Sequence, residues 1–103
     1  MQHDAFELRG SYRYPSLVEL DRALIAARAR IEDDELADLE PDWMQAFVRR
    51  GTTLRVQALL PAAADRFLAA EVIQTLARSA VEGVIEINRD GRCVDWFPSQ
   101  QLE

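Results

Sequence analysis

A chain of 103 residues, 49% hydrophobic and 29% charged with a formal net charge of −6, has the size and balance of one globular domain built on a single core. That balance excludes disordered and collagen-like chains, and the negative charge opposes binding to a phosphate backbone, so no nucleic acid partner is expected. All twelve basic residues are Arg, which excludes Schiff-base chemistry, pyridoxal phosphate attachment and a P-loop lysine.

No stretch approaches the roughly 20 consecutive apolar residues of a membrane helix, and Met1-Gln2-His3-Asp4 lacks the basic-then-apolar order of a secretion signal. One cysteine, Cys93, cannot form an intrachain disulfide. The expectation is a cytoplasmic protein without membrane contact.

In chain order, residues 6–14 alternate: Phe6, Leu8, Tyr12 and Tyr14 share one face, and Glu7, Arg9, Ser11 and Arg13 the other, which predicts a half-buried strand. Pro15 stops it. Ser16, with Glu19 three residues later, has capping-box spacing. Leu17, Leu20, Leu24, Ala27 and Ile31 then recur at steps of three and four, so a helix is predicted over 16–31. Between residues 32 and 42 the chain carries seven carboxylates (Glu32, Asp33, Asp34, Glu35, Asp38, Glu40 and Asp42) with no basic residue. Leu36 and Leu39 fit a short helical turn pinned by those leucines, and the mutual repulsion of the acids fits an exposed, mobile connection instead.

Residues 43–48 and 53–60 read as two strands joined through Gly51, the first with a helical alternative, and Leu54, Val56, Ala58 and Leu60 are expected to face the core. A second helix follows Pro61, with Ala69, Val72, Ile73, Leu76 and Ala80 as its apolar stripe, ending near Ala80. Residues 84–88 and 93–97 flank Arg89-Asp90-Gly91-Arg92, a hairpin signal, and Pro98 closes the last strand. The resulting β-α-β-β-α-β order, plus a C-terminal strand forming a hairpin, predicts an α+β domain of the ferredoxin-like split βαβ kind, with the first strand beside the third and both helices on one face. One domain spans residues 1–103.

The chemistry such a chain can carry is limited. His3 stands alone near the N-terminus, so neither a Ser-His-Asp nor a Cys-His arrangement can be assembled, and one Cys with one His cannot build a zinc cluster. Cys93 is expected to be a small buried strand residue. The acidic run lacks the alternating acids and central Gly of an EF-hand loop. Gly10, Gly51, Gly83 and Gly91 are too dispersed for a phosphate cradle. No catalytic residue, metal site or cofactor is therefore assigned, and an enzyme is not expected.

The most informative group is the outer face of the predicted sheet, where Arg9 and Arg13 fall near Arg55 and Gln57, with Glu7, Ser11 and Glu86 close by. RNA-binding sheets of similar topology place stacking aromatics there; here the face is charged and polar. Such a face reads either as a solvated surface with cross-strand Arg–Glu pairs or as a binding surface; Arg9, Arg13, Arg55 and Gln57 are the candidate binding residues for a protein partner, in a non-catalytic interaction or regulatory module or a homodimer. One alternative is a small-molecule ligand or substrate held between sheet and helices by Tyr12, Tyr14, Trp43 and Trp96. A lesser one uses the acidic run to mimic nucleic acid and inhibit a basic protein.

Overall fold

Alternating side chains between Phe6 and Arg13 make the first strand amphipathic in the sheet sense, and the fold is organised around it. The computed structural model describes residues 6–33, 47–60 and 66–101. These form β1 (Phe6–Arg13), α1 (Leu17–Asp33), β2 (Phe47–Arg50), β3 (Thr53–Leu60), α2 (Arg66–Ala77), β4 (Glu82–Arg89) and β5 (Arg92–Pro98). The architecture is α+β: a five-stranded antiparallel sheet in the order β2-β3-β1-β4-β5 and, among the described residues, two helices. β1 is central, paired with β3 on one side and β4 on the other, so Leu8 lies between Ala58 and Ile87, and Tyr12 between Leu54 and Gly83.

One sheet face is covered by both helices. Leu8, Tyr12, Leu54, Val56, Ile85, Ile87 and Phe97 from the strands join Leu20, Ala23 and Ala27 of α1 and Ala69, Val72, Ile73 and Leu76 of α2 in one buried cluster. Full burial of each large aliphatic side chain here contributes about 1.5–3 kcal/mol. Tyr12 and Tyr14 are fully buried. Their hydroxyls donate to the Phe97 carbonyl at 2.5 Å and the Leu76 carbonyl at 2.7 Å, which meets the polar requirement of each ring tip. Burial pushes both phenol pKa values well above their ordinary range. These two bonds tie β1 and the segment after it to β5 and to the end of α2.

Ends and turns follow local chemistry. The Ser16 hydroxyl accepts from the Glu19 amide at 3.2 Å, the first half of the capping box; the Glu19 carboxylate turns instead to Arg22 at 3.3 Å. Asp90 and Gly91 both have positive φ, 54° and 76°, as a two-residue primed hairpin turn requires. Gly51, at φ 61°, opens the β2–β3 turn. Arg49 of β2 reaches Asp21 of α1 at 2.6 Å, and Arg30 of α1 pairs with Glu71 of α2.

Several expectations need correction. α1 runs to Asp33 rather than Ile31, and α2 ends at Ala77 rather than near Ala80. Leu17 is exposed and Leu24 only partly buried, while Ala23 joins the core. At about 100° per residue, Leu17 lies roughly 60° round from Leu20 on the side away from Ala23, outside the buried arc. Cys93 is exposed: a register shift between Ile87 and Asn88 sets Cys93 opposite Asn88 on the outer face, whereas unbroken alternation from Phe97 would have turned it inward. Trp43, residues 43–46 of the expected strand, the start of the second helix at Pro61 and most of the acidic run, residues 34–42, lie outside the described residues.

Candidate outer face of the sheet

Alternation along five strands sends one residue in two away from the helices, and the strand register converts those residues into rows. Gln57, Arg9, Glu86 and Trp96 form one row; Val48, Arg55, Ser11, Val84 and Pro98 form the next. On the far side of the second row lie Thr53, Arg13 and Glu82, and on the far side of the first lie Leu59, Glu7, Asn88 and Cys93. All four predicted residues, Arg9, Arg13, Arg55 and Gln57, thus share this face.

Their partners differ. Arg13 reaches Glu82 at 3.4 Å across the β1–β4 ladder, a partly solvated pair of small energetic weight. Arg55 contacts the Gln57 side-chain oxygen at 3.5 Å, at the limit of a hydrogen bond. Arg9 is exposed, between Gln57 and Glu86 in register, and makes no ion pair among the described residues. A shallow depression of about 450 Å³ follows the β1–β4 line beside it, bounded by Glu7, Arg9, Gly10, Val84, Glu86 and Asn88.

Flanking this polar centre are apolar side chains that sequence reasoning did not place here. Trp96 is 64% exposed, Leu59 72%, Val48 51% and Val84 38%. Each sits beside a second large apolar residue in its strand: Phe47-Val48, Leu59-Leu60, Val84-Ile85 and Trp96-Phe97. In an extended strand neighbours point to opposite faces, so one member of every such pair must leave the core. That doubling was the available signal.

Tyr12 and Tyr14 fill the core, and Trp96 lies on the opposite sheet face, so these three do not line a common pocket. Cys93 Sγ lies 3.2 Å from the Asp95 carbonyl oxygen. Among the described residues no group of three or more His, Cys, Asp or Glu side chains is placed to hold a metal ion, and no helix is long and apolar enough to cross a membrane. Comparison with protein-family models, with curated proteins and with solved structures finds no match to this chain.

Proposed function

We propose that the chain is a non-catalytic protein–protein interaction module that docks a folded protein surface on the sheet face opposite its two described helices. The observation that carries this reading is the exposure of Trp96 together with Leu59, Val48 and Val84 around a polar centre. Protein–protein interfaces mix apolar and polar side chains in this way and are enriched in aromatic and Arg residues, and tryptophan is among the side chains most able to anchor one. The polar centre of Arg9, Arg55 and Gln57 supplies hydrogen bonds and register. The ferredoxin-like interpretation of the domain is supported by its crossovers: β1 and β2 are separated by β3, and β3 and β4 by β1, with one described helix in each connection.

The test is native mass. In extract of its own cells the protein should migrate well above its 11.7 kDa. A Trp96→Ser/Leu59→Ser variant that still melts cooperatively should fall to that mass, since loss of an aromatic anchor costs about 2 kcal/mol or more. Migration at the single-chain mass at both low and physiological salt, or a variant that keeps the wild-type mass, would refute the reading.

A further inference from the structure

The charges on the outer face are arranged by strand. β1 contributes Arg9 and Arg13, and neighbouring β4 contributes Glu86 and Glu82 at the same heights, Arg9 opposite Glu86 and Arg13 opposite Glu82, while Glu7, the one acidic residue of β1 on this face, stands opposite the uncharged Asn88. A two-fold axis parallel to the strands and midway between β1 and β4 exchanges those two strands between copies while keeping every row at its height. Laid face to face about that axis, Arg9 of one copy meets Glu86 of the other, Arg13 meets Glu82, and both contacts recur by symmetry. The same operation sets β3 over β5. Gln57 then covers Trp96, and Leu59 lies over Cys93 and diagonally beside Trp96, within reach of an aromatic ring.

We propose that the occupant of this face is a second copy of the chain, docked in that arrangement; this rests on the docking reading above. Two-fold interfaces must be self-complementary, and a face with like charges on β1 and β4 would repel its own copy about this axis. The depression along the β1–β4 line lies on the axis, where the reciprocal Arg9 and Glu86 side chains would fill it. Size also fits. Four overlapping strands about 4.8 Å apart, three of eight residues and β5 of seven at about 3.3 Å per residue, cover roughly 500 Å² per copy and about 1,000 Å² in total, the lower bound for a specific interface.

The experiment is charge reversal with complementation, followed by analytical ultracentrifugation of the purified chain. Wild type should be a dimer at concentrations up to about 100 μM, which would fill an interface of micromolar Kd. Arg9→Glu alone sets two carboxylates against each other where the substituted position meets Glu86 of the other copy. Glu86→Arg alone sets two guanidinium groups together in the same way, at Arg9. Each should weaken self-association by about 100-fold. An equimolar mixture of the two variants should form a mixed dimer, because in it one Arg9–Glu86 contact keeps its native charges and the other has both charges reversed, so both are of opposite sign. Arg13→Glu and Glu82→Arg, tested the same way, provide a second pair should either first variant fold poorly. A monomeric wild type overturns the second copy as occupant, and the docking reading then stands or falls on the Trp96 dependence in extract. A dimer indifferent to the reversals, or variants that do not complement each other, overturns this arrangement.

Discussion

Replacing Gly10 by Ala puts a methyl group where the central β1–β4 ladder has no room. Gly10 has φ +150°, and a Cβ built there would lie 2.1 Å from the Val84 carbonyl oxygen and 2.7 Å from the Ile85 Cα. Both obstacles are backbone, which cannot swing aside as a side-chain tip can. The unfavourable φ alone costs of order 1–3 kcal/mol, and a ladder hydrogen bond lost as the strands part adds about 1 kcal/mol. The expected loss is therefore about 3 kcal/mol, a large share of the roughly 5–15 kcal/mol that holds a domain folded. Gly51→Ala is the matched control, because that residue has φ +61° but nothing within 4 Å of its missing Cβ, so only the left-handed penalty of about 1–2 kcal/mol applies. Urea denaturation followed by circular dichroism measures both. With m near 1.5 kcal/mol per molar, Gly10→Ala should lower the midpoint by about 2 M and Gly51→Ala by about 1 M. Equal midpoints for the two variants would show that the ladder yields easily and that the close approach at Gly10 is not a constraint.

Val56→Asp should abolish the cooperative melt, because Val56 is buried and an unpaired charge there costs more than the domain's stability; Arg9→Ala, on the exposed face, should still melt cooperatively. A folded Val56→Asp protein would mean that the sheet faces are inverted. Alkaline stability should depend on Tyr12 and Tyr14, whose pKa values are raised in the fold chiefly by burial. Their contribution is fully present below the unfolded phenol value near pH 10 and is lost as pH rises above it, because the unfolded chain then binds fewer protons; the slope is about 1.4 kcal/mol per pH unit for each tyrosine. Urea midpoints between about pH 9 and 11.5 should fall for wild type and flatten in the Tyr12→Phe/Tyr14→Phe variant, and a slope unchanged in that variant would refute the assignment.

What the sequence determined by itself was local. The period-two pattern of Phe6, Leu8 and Tyr12 specified a strand and its inward face, the three-and-four spacing of Val72, Ile73 and Leu76 specified a helix and its buried stripe, and Asp90-Gly91 specified a turn; all depend on neighbours within a few residues. The placement of Arg9, Arg13, Arg55 and Gln57 on one face was legible for the same reason, since alternation alone assigns sides. Tertiary structure decided what depends on register between distant strands. The shift after Ile87 turned Cys93 outward, against the alternation expected from Phe97. Pairing of β4 with β1 set Glu86 opposite Arg9, and the choice of which member of Trp96-Phe97 faced the helices left the tryptophan outside. Within one strand either face can be the inner one; the choice follows from which neighbour it pairs with, and that is settled by burial of the whole core at once.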